Sequence, residues 1–229
     1  MSLEFTGSGS GDHVDLGAWD LPSGLSTLSI FAWVKFDSFT VPDQRIISKA
    51  TSSASADHWW MFSSINSNQM RVRLKTGGTT LTHFENSAAI TTGIWWHMGF
   101  VYNGTNVLFY RNGQQSGSSS QTGNLDTNGS VGVRIADNPG PDRLELDGHL
   151  DDLTIHQKAL TLAEIKTKYF ARGHDGIVDG LLHRWLFNDG YPGQTATGAS
   201  SVRDYAGVRH GSPAASPVYR ASELSFRRG

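Results

Sequence analysis

Residues 28–36 read Leu-Ser-Ile-Phe-Ala-Trp-Val-Lys-Phe, and this run constrains the fold more than any other. Leu28, Ile30, Ala32, Val34 and Phe36 alternate with Ser29, Phe31, Trp33 and Lys35, a period of two with both faces largely apolar. Such a strand belongs inside a sandwich, covered on one side and close to aromatic neighbours on the other. Similar runs recur. Strands are predicted at Arg45–Lys49, Trp59–Ser64, Met70–Lys75, Thr79–Phe84, Trp95–Tyr102, Val107–Arg111, Gln114–Ser118 and Val131–Ile135. Another runs from Glu145 to about His156, and one more covers Leu181–Phe187. Asn112-Gly113 joins Val107–Arg111 to Gln114–Ser118, and these two residues suit the positive φ values of a type I′ hairpin turn.

One helix interrupts the strands. Thr161-Leu162-Ala163-Glu164 has the form of a capping box, flanked by Leu160 and Ile165 as a hydrophobic staple. The helix should run to about Arg172 and stop at Gly173. A turn-rich segment follows Phe187, and a final apolar patch lies at Leu224–Phe226.

The chain's 229 residues fit one large β-sandwich, and its 26 Gly are spread along the sequence, as many short turns require. With 19 basic and 21 acidic residues the formal charge is −2, which argues against phosphate-backbone binding and so against nucleic acid. The absence of Cys removes disulfides, thiolate catalysis and Cys-ligated zinc. No stretch approaches the roughly 20 apolar residues of a membrane span, and the N-terminus lacks the form of a secretion signal.

Four segments together resemble the laminin-G-like, concanavalin-A-like jelly-roll family, which includes pentraxin-like domains. Leu3-Glu4-Phe5-Thr6-Gly7 with Asp12-His13-Val14-Asp15-Leu16 is similar to its opening pair. Residues 28–35 are similar to its Trp-containing core strand. Trp95-Trp96-His97-Met98 and Phe109-Tyr110-Arg111-Asn112-Gly113 are similar to its Trp-x-His and Tyr-x-Asn-Gly strands. Gly148–Ile155 leading into Ala159–Ile165 is similar to its closing strand and capped helix. The resemblance implies an all-β, two-sheet antiparallel jelly-roll sandwich with one short capped helix near residues 161–172. Trp185–Gly190 and Asp204–Gly211 look like segments that normally precede the opening strand. Residues 173–229 are therefore expected to close the sandwich built by 1–172, as in a circular permutant; a truncated second copy is the competing arrangement.

Candidate sites are few. Trp33, Trp95 and His97 are expected to pack the core, with His97 satisfying a buried backbone group. Asp57-His58-Trp59-Trp60-Met61-Phe62 places Trp59 and Trp60 on opposite faces; one should be core, and the other could stack on a sugar or a protein partner. His58, Trp59 and Trp60 are thus the candidate ligand residues. Asp12, after the glycine-rich loop 7–11, Asp151, placed on an apolar face with Leu153 and Ile155, and Asp152 form a candidate metal set. The resemblance implies structural calcium there; satisfaction of the acids by backbone amides and turn hydroxyls is the alternative.

Laminarinase-type glucanases share the sandwich and carry alternating carboxylates on one strand. Here Glu145 and Asp147 have the first spacing, but Gly148-His149-Leu150 replaces the second Glu, so retaining hydrolysis lacks its acid. No G-x-S-x-G elbow and no H-x-x-x-H pair is present. The expectation is a non-enzymatic binding or structural module. Its primary reading is a bacteriophage virion surface protein, a capsid decoration or tail appendage made in the cytoplasm, contacting other protein chains or glycans and able to self-associate. A bacterial sugar-binding module stands second, and a degenerate glycan-active enzyme third.

Overall fold

The structure, a computed structural model, describes every residue except 8, 66, 67, 88, 223 and 225–229. The apolar patch expected at 224–226 therefore lies outside the described residues apart from Leu224. Two antiparallel sheets face each other. Sheet A runs β10 (Gln114–Ser120), β9 (Asn106–Arg111), β8 (Trp95–Tyr102), β3 (Leu28–Phe36), β12 (Asp147–His156), β1 (Ser2–Thr6) and β15 (Val218–Arg220), and β13 (Leu181–Trp185) also pairs with β12. Sheet B runs β14 (Ser212–Ala214), β2 (His13–Ala18), β11 (Gly132–Ile135), β4 (Arg45–Ala50), β5 (His58–Ile65), β6 (Gln69–Thr76) and β7 (Thr79–Phe84). The chain is an all-β jelly-roll sandwich.

Period-two alternation builds the core between the sheets. Leu28, Ile30, Ala32, Val34 and Phe36 of β3 point inward with Trp60 and Phe62 of β5 and Met98 and Phe100 of β8. The Phe62 and Phe100 rings meet edge to face at 5.8 Å across the two sheets. Residues after the helix enter the same core: Trp185, Phe187, Val202 and Tyr219 are all buried there. One edge of β12 is shared, with β1 against residues 147–150 and β13 against residues 153–156. The turn-rich segment thus holds two short strands that its composition did not signal, β14 on β2 and β15 on β1. The strand expected over 181–187 ends at Trp185, because Phe187 turns into the left-handed region with φ 51°.

A second, smaller core lies on the outer face of sheet A. Phe31, Val101 and Tyr110 are covered by α1 (Leu162–Ala171) through Leu160 and Ile165. Gly99 makes this possible: a Cβ there would stand 2.3 Å from the Phe31 ring. The capping box forms as expected, with Glu164 N donating to Thr161 Oγ1 (3.3 Å) and Thr161 N donating to Glu164 Oε2 (2.8 Å). The helix ends one residue earlier than the glycine rule placed it. Arg172 itself adopts the left-handed conformation (φ 48°) and donates its N–H to Lys168 O. The helix is held down by a buried ionic network in which Arg184 Nε donates to Asp152 Oδ1 (2.7 Å) and Nη2 to Asp175 Oδ2 (2.9 Å). Lys168 Nζ stands 3.4 Å from the same Asp175 oxygen. No helix among the described residues is long and apolar enough to cross a membrane.

Candidate functional site

An aromatic cleft is open on the helix-covered face of sheet A, at the C-terminal end of α1. It has a volume of about 340 Å³, and Trp33, Ile94, Trp95, Asn112, Tyr169 and Arg172 form most of its wall. Each residue is positioned by the elements described above. Trp33 is the outward residue of β3 paired with His97 of β8, and Trp95 is its outward neighbour on β8, paired with Lys35. Asn112 opens the β9–β10 hairpin with φ 48° and accepts from His97 N at 2.9 Å, while Tyr169 and Arg172 are the last turn and cap of α1.

The rings are ordered against each other. Trp33 and Tyr169 stack at 5.7 Å with 25° between planes, and His97 lies 5.2 Å from Trp33 and 5.4 Å from Phe31. Burial first, and then the Lys168 ammonium, pushes the His97 imidazole down to about 3, so it is neutral. Three polar ring atoms in this wall, Trp33 Nε1, Trp95 Nε1 and His97 Nδ1, are buried without a hydrogen-bond partner among the described residues. Trp33 is only 4% exposed. The indole N–H groups of Trp19 and Trp60 in the sandwich core are unpartnered in the same way, so the cleft is distinguished by its stacked rings rather than by these buried donors.

Trp33 and His97 are buried as expected, but on the outer face of sheet A beside α1 rather than between the sheets, and Trp95 is only half-buried. Alternation separates the two faces of β3 but cannot say which face a helix will half cover. His97 Nδ1 satisfies no backbone group; its main-chain atoms pair with Asn112 instead.

The predicted ligand residues are separated. Trp60 is buried in the sandwich core, its ring 5.7 Å from Trp19 at 55° between planes. His58 is also buried, bonded to Ala54 O (2.8 Å) and Asn138 Oδ1 (3.2 Å). Burial, then Arg45 and Arg73, lowers its imidazole to about 4. Neither presents a surface to a ligand. Trp59 does: it is half-buried on the outer face of sheet B, with Lys75 Nζ 4.6 Å from its ring centre.

The predicted metal set does not assemble. Asp12 accepts from the amides of Thr6 (3.0 Å) and Ser216 (2.7 Å), one on each oxygen, as in the amide alternative. Asp152 is held by Arg184. A bulge at Asp152 (φ 44°) puts Asp151 opposite Trp33 on the outer face, not with Leu153. Burial raises the Asp151 carboxyl to about 7, against the pull of the N-terminal ammonium and Ser222. Oxygens already engaged by amides and cations do not fit a calcium ion that wants several free oxygen ligands. Among the described residues one other group brings three candidate ligands together, Glu4, Asp37 and His149. Arg220 donates to Glu4 Oε2 (2.6 Å), His149 Nε2 lies 3.1 Å from Asp37, and Lys35 adds a second positive charge beside His149. Glu4 is thus already paired with Arg220, and Asp37 is engaged by the His149 ring.

Glu145 and Asp147, the glucanase-like pair, are structural. Glu145 accepts from Gly9 N (2.7 Å) and Gly11 N (3.0 Å), which straps the glycine-rich loop to the sandwich. Asp147 accepts from Ser38 Oγ.

An all-β sandwich with an aromatic cleft on its outer face defines a lectin-like jelly roll. Residues 8–166 match the family described as the concanavalin A-like lectin/glucanases superfamily, and the chain belongs to that superfamily. No curated protein sequence matches it. Among solved structures, a putative carbohydrate binding protein from Bacteroides ovatus is similar over 96% of this chain and 61% of its own (14% identity, TM-score 0.70). A heptameric SAP-like pentraxin from Limulus polyphemus is similar over 76% and 83% (19% identity, TM-score 0.55). The CBM40 domain of a Ruminococcus gnavus IT-sialidase, bound to α2,3 sialyllactose, is similar over 66% and 94% (14% identity, TM-score 0.52).

Proposed function

We propose that the chain is a non-catalytic glycan-binding module whose site is the cleft of Trp33, Trp95 and Tyr169. The carrying observation is the aromatic wall itself, Tyr169 stacked on Trp33 with half-buried Trp95 beside them around a cavity of about 340 Å³. Sugar recognition needs ring faces for the C–H surface of a pyranose and a few polar groups for its hydroxyls. Asn112 and Arg172 supply polar groups at the rim. The Bacteroides and Ruminococcus proteins, named for carbohydrate binding and for a bound sialyllactose, support the same reading. Catalysis finds no support, since no Asp or Glu lines the cleft among the described residues and both Glu145 oxygens are held by backbone amides.

Docking in a virion or other protein assembly is the second reading. Its support is the exposure of Phe170 and Val208, apolar residues at 74% and 77%. Single exposed apolar side chains are common on any surface, so this support is weaker.

A glycan array followed by titration calorimetry tests the primary reading. A defined neutral or acidic glycan should bind, and Tyr169→Ala and Trp95→Ala should each weaken it at least tenfold without changing the thermal midpoint by more than a few degrees. No binding across the array, with stable multimers in light scattering, would replace the glycan reading by the assembly reading.

A further inference from the structure

The outer face of sheet B carries a surface of a different kind. Along β6 the alternation sends Met70, Val72 and Leu74 into the core and Arg71, Arg73 and Lys75 outward. The register sets Arg45 of β4, Ser63 of β5 and Arg71 of β6 in one row, with Ser48, Met61 and Arg73 in the next. Ser63 is small, so the two guanidiniums of its row can lie side by side over the sheet. Asp43, in the loop before β4, accepts from Arg45 Nη1 and Arg71 Nη2 together. Among the described residues, no carboxylate makes an ion pair with Arg73 or Lys75. Arg73 Nη1 donates instead to Ser53 O (3.1 Å), and Lys75 lies over the Trp59 ring.

Three guanidiniums and one ammonium therefore stand beside a single carboxylate, which two of them engage. Two of the guanidiniums are deep: Arg45 is 0% and Arg71 4% exposed. Each keeps a buried donor with no partner, Arg45 Nη2 and Arg71 Nε. A buried cation is normally paired, and an unmatched one is costly in a low-dielectric setting. Burial, with Arg71 and Arg73 adding to it against the pull of Asp43, lowers Arg45 to about 9, and burial with Arg71 lowers Arg73 to about 10. Elsewhere in the molecule buried cations are matched by carboxylates, Arg111 by Glu85 and the pair Arg184 and Lys168 by Asp152 and Asp175. Only here is the sum left positive among the described buried clusters, in a chain whose net charge is −2.

We infer that this face is a second binding site, separate from the aromatic cleft, which takes the carboxylate or sulfate group of an anionic glycan. The anion sits over Arg73 and Lys75, where both side chains are half-buried and reachable. Arg45 and Arg71 lie beneath and raise the potential there, because charges behind low-dielectric walls focus their field outward. A guanidinium fork matches the two oxygens of a carboxylate or sulfate. Trp59 flanks the stripe and offers a ring face for the sugar that carries the charge, which favours a saccharide over a bare inorganic anion. The stripe is short, spanning the outward side chains of three strands, so it fits a charged sugar better than a nucleic-acid backbone.

The test measures binding of the full chain to polygalacturonate, to a sulfated polysaccharide and to neutral dextran, at low salt and at 0.5 M salt. Binding to one of the two anionic polymers, absent for dextran and lost at high salt, is the expected result. The carboxylate and sulfate arms identify which group is taken. Lys75→Glu and Arg73→Gln should each weaken that binding at least fivefold and flatten its salt dependence, and Trp59→Ala should weaken it without changing the salt slope. Lys75 is on the surface, so its variant keeps the test interpretable if Arg73→Gln fails to fold. Tyr169→Ala should leave polyanion binding unchanged, which separates this site from the cleft whatever the cleft proves to bind. No binding to either anionic polymer, or binding that Lys75→Glu leaves intact, overturns the proposal. Tighter binding of a single-stranded oligonucleotide through the same residues overturns its assignment to a glycan.

Discussion

Two buried ionic clusters sit on opposite outer faces of the sandwich, and they are solved differently. Under α1, the cations Arg184 and Lys168 meet the carboxylates Asp152 and Asp175, and Arg184 also donates to Gly173 O at 2.9 Å. Every partner lies on an element that must be held: β12, β13, the helix and the loop after it. On sheet B, Arg45 and Arg71 share Asp43 and leave donors idle, and Arg73 beside them pairs with no carboxylate among the described residues. The first cluster closes on itself and fastens the chain. The second stays open to an outside charge. A protein keeps an unbalanced cluster against its stability only where something else completes it.

If the helix-side cluster is a fastening, removing its hub should be severe. Arg184→Ala leaves Asp152 and Asp175 buried beside a single ammonium, and should cost about 3–5 kcal/mol in urea or thermal unfolding, the usual penalty for breaking a buried pair. A loss below about 1 kcal/mol would show that the two clusters do not differ in role.

The pH dependence of stability should separate the regions next. Asp151 stands beside the helix-side network with its folded pKa raised to about 7 by burial, above the ordinary 3.8. A raised value means that the folded state holds the proton more tightly, so this contribution is present below about pH 4 and lost as pH rises through 7. Asp151→Asn should therefore stabilise the chain at pH 8, by on the order of 1–2 kcal/mol, and do nothing at pH 4. His58, inside the arginine cluster, has the opposite sign. Its folded value of about 4 lies below the ordinary 6.5, so its contribution is present above pH 6.5 and is lost as pH falls toward 4. Thermal midpoints of the parent and Asp151→Asn across pH 4–8 check both slopes. Equal shifts at the two ends would remove Asp151 from the account.

Much of the fold was legible because its signals are local. The β3 alternation, the Asn112-Gly113 turn and the Thr161–Glu164 box each state a geometry that the structure contains. The sites were less legible because they depend on which face is covered and what lies across the sheet. Alternation puts Trp33 and Trp95 on one face of sheet A, but only the position of α1 shows that Tyr169 covers Trp33 while Trp95 is left at the mouth of the cleft. The outward series Arg71, Arg73 and Lys75 is plain in the period of β6. Its charge imbalance is not, because Arg45 and Asp43 reach it only through the pairing of β4 with β5. The metal set failed for a similar reason: one bulged residue, Asp152, moved Asp151 to the other face, and a strand pattern carries no mark of a bulge.

The smallest expected effect is the one that tells most about the comparison. Arg73→Gln removes a cation from the open cluster and keeps a side chain of similar length. The loss side is the hydrogen bond to Ser53 O at 3.1 Å and the longer one to Thr82 Oγ1 at 3.3 Å, each contributing about 1 kcal/mol at most. The gain side is relief of repulsion on Arg45, whose pKa Arg73 helps to depress, and on His58. These terms oppose each other, so the net change in unfolding free energy should stay within about 1 kcal/mol of zero. Raising the salt concentration should shrink the gain side by screening, since Arg73 is only partly buried. The variant should then be relatively less stable at 1 M salt than at 50 mM. A loss above about 2 kcal/mol at low salt would make Arg73 a fastening like Arg184, and the open cluster would no longer be explained by an outside anion.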